Sequence, residues 1–424
     1  MDAEEETEKN RVNLADDPSS RAMMVQRGLH DLPRGVLLEI LSRLPIASLI
    51  HFKTTSRAGY NLIADPGLPL LFRNRVSDSN PRLILFNHNF ISWCPSQLYF
   101  VNSEGFGSRV RTIDPPQDSK VDTLVGSCNG LLCLSLIGGS SESHSLLIYN
   151  PFVGDAVRVP PANRFRKENE VFGFGFHPRT GEFKVVRIVR HRKIMTVVDR
   201  GSMVQVFTIG TTEWRNKGAP PPQFKPETRA PAILVEGSLH WVTVVGMGGD
   251  GPIFGIISFK LADEMFEEIP HPPCQRFVSR DYSLSVLSGC LTAVGAVETE
   301  HFVIWVMEQY HVKESWVKQF SFNPYFPCRR GSCLTRFPEV ICALKNGEIL
   351  LLFDYRSLVS YDPVENRFES LQMSELPPNQ FMEPYDPVKN SFESNQMSGL
   401  PSLFQALPFL PSIFSARATM NLQF

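Results

Sequence analysis

Few residues in this 424-residue chain are spaced for chemistry. The nearest approach to a phosphate cradle is Gly246-Met247-Gly248-Gly249-Asp250-Gly251. Backbone N–H groups of a glycine-rich turn can surround a phosphate, but the motif needs a following Lys-Ser/Thr, and none follows. Its place in a β-type pattern makes it a loop. Cys128 with Cys133, and Cys328 with Cys333, share a five-residue offset. Zinc sites use closer pairs with histidine support, so these read as buried strand thiols. His240 beside Trp241 and His177 before Pro178 read as hydrogen-bonded structural imidazoles, not bases or ligands. The densest positive run, Arg187, Arg190, His191, Arg192 and Lys193, reads as a solvated loop or strand edge, with recognition of an acidic target as the alternative.

No His-Glu-x-x-His, Gly-x-Ser-x-Gly or Gly-x-x-x-x-Gly-Lys-Ser/Thr is present, so zinc proteases, elbow hydrolases and phosphate-loop enzymes lose support. No catalytic, cofactor-binding or metal-ligating residue is assigned. Lysine plus arginine (42) nearly cancels aspartate plus glutamate (44), leaving no global positive field for a polyanion. The greasiest stretch, Leu400 to Phe414, is broken by Pro401, Pro408 and Pro411, which argues against a membrane span. The acidic start lacks the apolar core of a secretory signal. Eight scattered cysteines without Cys-x-x-Cys, and no Asn-x-Ser/Thr acceptor, fit reduced thiols in cytoplasm or nucleus.

The elements that must position any function change character along the chain. Residues 1–27 are acidic and aperiodic, and read as a disordered leader. From Asp31, a capping residue, with Pro33 in the first turn, the side chains Val36, Leu37, Ile40, Leu41 and Leu44 recur at helical spacing. Pro45 stops that helix and starts another carrying Ile46, Leu49 and Ile50, and a third segment runs to Asp65-Pro66. A unit this small holds little core of its own, so its apolar face calls for a partner or for the rest of the chain.

Beyond about residue 80 the runs are β-type: Leu83 to Phe86, Leu131 to Leu134, Phe183 to Val186, Ile349 to Phe353. Turn signals recur at Asn129-Gly130, Thr180-Gly181, Glu236-Gly237, Ser288-Gly289 and Asn346-Gly347. A second mark keeps the same phase: aromatic residues seven apart across a turn, Phe207 and Trp214, Phe259 and Phe266, Tyr361 and Phe368. Two marks in step at a period of roughly 50 residues predict a β-propeller of five or six blades, with segment 82–120 as an additional or closing one. A glycine-hairpin sandwich is the plainer alternative. Separately, Tyr361 to Pro377 and Tyr385 to Pro401 agree at 13 of 17 positions. This local duplication predicts that the first copy completes the last blade and that 379–424 is a surplus, disordered tail. Truncation after Pro378 would then leave the melting temperature nearly unchanged.

The segment Leu32-Pro33-Arg34-Gly35-Val36-Leu37-Leu38-Glu39-Ile40-Leu41-Ser42-Arg43-Leu44-Pro45-Ile46-Ala47-Ser48-Leu49, closing in Leu62-Ile63-Ala64-Asp65-Pro66, resembles an F-box. It departs from that pattern at Gly35, where an acid is common, and at Gly59, beside Tyr60, where a tryptophan is usual. The remainder resembles the F-box associated, kelch-like domain of plant F-box proteins. The matching pieces are Gly126-Ser127-Cys128-Asn129-Gly130-Leu131-Leu132-Cys133, Tyr149-Asn150-Pro151, Phe172-Gly173-Phe174-Gly175-Phe176, and Ile304-Trp305-Val306-Met307 to Lys313-Glu314-Ser315-Trp316.

The resemblance implies a three-helix F-box over 28–75 and a large all-β, propeller-like domain over 80–378. It implies a non-catalytic substrate receptor that docks on a Skp1-like adaptor, and through it a cullin ubiquitin ligase, while the β domain captures a target protein. The docking positions that match are Leu32, Pro33, Val36, Leu37, Ile40, Leu41, Leu44, Pro45 and Leu49. No cofactor is implied. The rival readings are a propeller enzyme acting on a carbohydrate or small molecule behind an unrelated helical leader, and a scaffold that docks on the adaptor without directing degradation.

Overall fold

The computed structural model describes residues 32–63, 65, 68, 71, 82–88, 97–101, 110–116, 120–136, 145–162, 170–189, 202–222, 231–248, 251–273, 282–298, 301–323, 338–353, 357–370, 385–386, 391–392, 403–409, 412 and 416. The expected leader, 1–27, lies outside the described residues. The chain divides into two compact units, Met1–Arg75 and Val76–Phe424.

The first unit contains helices α1 (Arg34–Leu41), α2 (Ile46–Thr55) and α3 (Arg57–Ile63). Pro33 occupies the N-cap of α1, not its first turn, and Pro45 occupies the N-cap of α2. A proline fits there because its missing N–H has no helical partner to lose, while its carbonyl still accepts: the amides of Val36 and Leu37 donate to Pro33. Ser56 precedes α3, and its hydroxyl accepts from the Gly59 amide at 2.9 Å. Leu37, Leu38, Leu41, Leu49 and Ile63 are buried.

The second unit is a β-propeller, with six four-stranded antiparallel sheets among the described residues. Blade 2 is Val121–Cys128, Leu131–Leu136, Ser145–Asn150 and Asp155–Arg158, and blade 3 is Glu170–His177, Glu182–Val189, Met203–Thr208 and Arg215–Asn216. Blade 4 is Ile233–Val235, Ser238–Gly248, Gly251–Lys260 and Met265–Ile269. Blade 5 is Ser283–Leu287, Cys290–Glu298, His301–Met307 and Trp316–Phe322, and blade 6 is Glu339–Ala343, Ile349–Phe353, Ser357–Asp362 and Arg367–Ser370. Blade 1 has three strands from the start of the unit, Arg82–His88, Gln97–Val101 and Val110–Ile113, and its innermost strand, Leu403–Phe409, from the end of the chain.

Both sequence marks have a place in the blade. Asn129-Gly130, Glu236-Gly237 and Ser288-Gly289 join first to second strands, every one of these residues at positive φ between 48° and 83°. That is the two-residue turn whose twist matches the strands it joins. The aromatic pairs face each other between third and fourth strands: Phe259 lies opposite Phe266 and Tyr361 opposite Phe368, with ring centroids 4.9 and 4.8 Å apart.

Among the described residues the core is divided into six apolar clusters, one between each pair of neighbouring blades. Successive strand residues point to opposite faces, so Leu83 and Leu85 pack toward blade 6 while Ile84 and Phe86 pack toward blade 2. This explains the unbroken apolar runs of the central strands. The glycines of Phe172-Gly173-Phe174-Gly175-Phe176 serve the same geometry: a Cβ at Gly173 would stand 2.8 Å from Leu239, and one at Gly175 2.7 Å from Leu234, both in blade 4.

The tail departs from expectation. Leu403–Phe409 pairs with Arg82–His88 along its whole length, from Arg82 opposite Phe409 to His88 opposite Leu403. The inner strands then touch in a closed cycle, this strand lying between those of blades 6 and 2. Part of 379–424 is thus structural, and the reason is topological: without it the second strand of blade 1 would present an unpaired edge to the centre of the ring. The duplication is consistent with this, because among the described residues the second copy forms a two-stranded sheet of its own, Tyr385 opposite Phe392, upstream of the closing strand.

Candidate docking face

The nine side chains proposed for docking divide between two environments. Leu32, Val36, Ile40 and Leu44 are 36–44% exposed, and Pro33 and Pro45 are exposed beside them. Leu37, Leu41 and Leu49 are buried, at 8%, 6% and 0%. At 100° per residue, positions 36 and 40 are offset by only 40° and share one side of α1, while 37 and 41 lie further round the helix; Leu44 follows in the turn after it. The apolar stripe is thus wider than one face. Its inner half packs the unit, and its outer half is an exposed ridge. Tyr60, 49% exposed with the Lys53 ammonium 5.5 Å from its ring centre, adds an aromatic that the sequence pattern did not single out for docking.

One ion pair ties the start of this ridge to the end of the unit. The guanidinium of Arg34, next to the opening Leu32-Pro33, donates through Nε to Asp65 Oδ2 at 2.7 Å, and through Nη2 to the same oxygen. Asp65 is buried, so the closing motif anchors the opening one across 31 positions. Gly59 answers the missing tryptophan: its α-carbon passes so near α2 that a Cβ would stand 2.5 Å from the Phe52 carbonyl oxygen.

The groups in the propeller that were weighed for chemistry are engaged in structure. His240 is fully buried, with Nδ1 3.0 Å from the Ile233 carbonyl oxygen and Nε2 2.9 Å from the Tyr310 hydroxyl. A carbonyl can only accept, so Nδ1 carries the proton and Nε2 accepts from tyrosine. Burial lowers its pKa to about 4, so the ring is neutral at ordinary pH. His177 Nδ1 accepts from the Thr180 amide at 3.2 Å and shapes a turn.

Arg187 does not belong to a solvated patch. It is buried and paired with Glu170 and Gln205, while residues 190–193 of the same run lie outside the described residues. Gly246–Gly248 and Gly251 belong to paired strands of blade 4, not to an open loop. Cys128, Cys133, Cys290 and Cys342 are free thiols, the first two and Cys342 buried. Burial pushes Cys133 far up and Cys342 up to about 12, so neither offers a thiolate. Cys328 and Cys333 lie outside the described residues. Among the described residues no group of three or more His, Cys, Asp or Glu side chains is placed to hold a metal ion, and no helix is long and apolar enough to cross a membrane.

Sequence reasoning missed a polar staple between blades 3 and 4. Lys184, buried, donates to the Leu261 carbonyl at 2.7 Å and pairs with Glu264 at 3.0 Å, and Arg215 and Lys217 each reach Glu264 at 2.5 Å. Burial raises the Glu264 pKa, but hydrogen bonds from Lys217 and Lys184 outweigh it and hold the carboxyl below its usual range. No local signal announces a contact made across 77 positions.

Comparison with known proteins agrees with this geometry. Residues 29–70 match the F-box domain and residues 90–397 the F-box associated beta propeller domain. The F-box protein At3g07870 of Arabidopsis thaliana is 34% identical over 384 residues, covering 82% of this chain and 89% of the relative. F-box protein CPR1 and F-box/kelch-repeat protein At3g23880, from the same plant, are each 23% identical, covering 82% and 80% of this chain and 85% and 90% of theirs. Likeness to solved structures is distant: TolB from Acinetobacter baumannii superposes with a TM-score of 0.41 at 10% identity, over 69% of this chain and 61% of that one. With helices and propeller each matched in its own segment, the chain belongs to the family of F-box proteins that carry an F-box associated β-propeller domain.

Proposed function

We propose that this chain is the substrate-recognition subunit of a Skp1–cullin–F-box ubiquitin ligase. The helical unit docks on a Skp1-like adaptor, and the propeller presents a target protein for ubiquitination by a separate enzyme. The observation that carries the reading is the exposed ridge of Leu32, Val36, Ile40 and Leu44 within the segment that matches the F-box. Burying a large apolar side chain fully is worth roughly 1.5–3 kcal/mol. Four that are already part-buried gain about half of that each, roughly 3–6 kcal/mol together, which offsets part of the cost of association and leaves the rest to the surrounding contacts of the docked unit. No catalytic group is needed on the chain, because holding a target beside a charged enzyme raises its local concentration. The work of the chain is then binding at two ends, in the cytoplasm or nucleus.

The experiment is co-expression of the full chain with Skp1, followed by affinity capture. Val36→Asp with Ile40→Asp, both on the exposed ridge, removes Skp1 from the captured material while the propeller still unfolds cooperatively. Failure of the unaltered chain to retain Skp1, or retention by the doubly altered chain, rejects the reading. Ubiquitination of proteins captured with the propeller then separates a receptor from a scaffold.

A further inference from the structure

We propose that the chain beyond the closing strand Leu403–Phe409 is latched at Ser412, and that Asn150 and Gly130 form the seat of that latch. The strand part is held on both sides. Gln405 Nε2 donates to the Leu124 carbonyl of blade 2 at 2.9 Å in a buried contact. Ala406 joins the cluster between blades 6 and 1, while Phe409 joins that between blades 1 and 2 and stacks on Phe152 at 5.7 Å.

The latch lies beyond the strand. Asn150 is fully buried, and its amide divides its work. Oδ1 accepts from the amides of Phe152 and Val153 at 2.9 and 3.2 Å, shaping the turn, and Nδ2 donates to the Ser412 carbonyl at 2.9 Å. Gly130, at φ +77°, leaves a notch for the same residue: a Cβ there would stand 2.3 Å from Ser412 Cβ and 2.6 Å from its amide nitrogen. Ala416, 0% exposed, is built into the cluster between blades 2 and 3. Two of the motifs that carry the family resemblance, Cys128-Asn129-Gly130 and Tyr149-Asn150-Pro151, thus converge on one residue of the chain's own tail. Their role is to seat the last strand of the ring, so the propeller forms only when the end of the chain has arrived.

The test is a set of double-mutant comparisons between the full chain and a chain ending at Leu410, which keeps the strand and removes the latch. In the full chain, Asn150→Asp keeps an acceptor for the turn but sets a buried carboxylate oxygen against the Ser412 carbonyl, lowering Tm by more than the roughly 2–4 °C expected for losing one buried hydrogen bond in a large domain. In the shortened chain the same substitution has less than half that effect. Gly130→Ala, which adds no charge, likewise costs more in the full chain, since only there does its methyl meet Ser412. Equal shifts in both backgrounds overturn the latch. Should the shortened chain fail to fold, hydrogen exchange on the full chain decides: an Asn150→Asp substitution that speeds exchange in Leu403–Phe409 more than in the remote strand Ser283–Leu287 supports the latch, and an equal change in both overturns it.

Discussion

Glu170 Oε1 and Arg187 Nη2 lie 2.5 Å apart, with both side chains 3% exposed, and bind the first two strands of blade 3 as a buried ion pair. A second guanidinium nitrogen, Nη1, donates to Gln205 Oε1 at 2.8 Å on the third strand. Neither charge has water to fall back on. Arg187→Ala strands a carboxylate and destabilises the propeller by about 3–5 kcal/mol, whereas replacing both residues with apolar ones of similar volume costs far less. Denaturant unfolding of the two variants checks this. Equal losses would show that packing, not charge pairing, holds the site.

His240 makes stability depend on pH. Its folded pKa, about 4, lies below the ordinary 6.5, so the unfolded chain binds the extra proton between these values. Stability is therefore full above pH 6.5 and falls as pH drops toward 4, by about 3 kcal/mol from this group. Glu264, held below its usual range by the Lys217 and Lys184 contacts, adds a further loss in more acid solution. A His240→Asn variant loses most of the slope between pH 6.5 and 4, read by thermal unfolding at a series of pH values.

The duplicated segment is dispensable, while the strand after it is not. The connection from Ser370 to Leu403 holds the second copy, at a period of 24 residues. Deleting residues 378–401 leaves about eight residues, which span roughly 26–29 Å when extended. A comparable link, residues 114–120, joins Val110–Ile113 to Val121–Cys128 in the same outer-to-inner step. That deletion shifts Tm by no more than about 2 °C, since loop length alone costs little. A chain ending at Pro378 loses cooperative unfolding. Calorimetry on both separates a surplus loop from a structural tail.

Adding a methyl at Gly59 harms the helical unit although alanine is the better helix former. The gain in propensity is about 1 kcal/mol, against a Cβ placed 2.5 Å from the Phe52 carbonyl oxygen, an overlap that costs about 1–3 kcal/mol. Gly59→Ala accelerates hydrogen exchange in α1 to α3 and leaves the blades unchanged. Unaltered exchange in the helices would mean that the close approach is relieved by a small shift.

The first copy of the duplication wins its place in blade 6 for a reason that lies outside the repeated stretch. Ahead of Tyr361 stand Val359 and Ser360, both buried in the blade. The corresponding positions ahead of Tyr385 are Glu383 and Pro384, a charge and a residue without an N–H. Neither suits a central strand, because one must be desolvated and the other cannot complete the ladder.

Local regularities were legible from the sequence alone. Two-residue turns demand glycine after a residue that tolerates positive φ, and aromatic residues seven apart meet across the turn between third and fourth strands, so the blade could be recognised from within about 50 positions. The outer ridge of α1 was legible too, but not its division from Leu37, Leu41 and Leu49, because helical spacing says which residues are neighbours and not which side another helix covers. Contacts made over long separations were decided only by tertiary structure: Asn150 with Ser412, 262 positions apart, Gln405 with Leu124, and the pairing of Leu403–Phe409 with Arg82–His88. A terminal strand has the same composition whether it pairs or hangs free. What gave this one its place was an edge left open at Arg82–His88, far upstream in the chain.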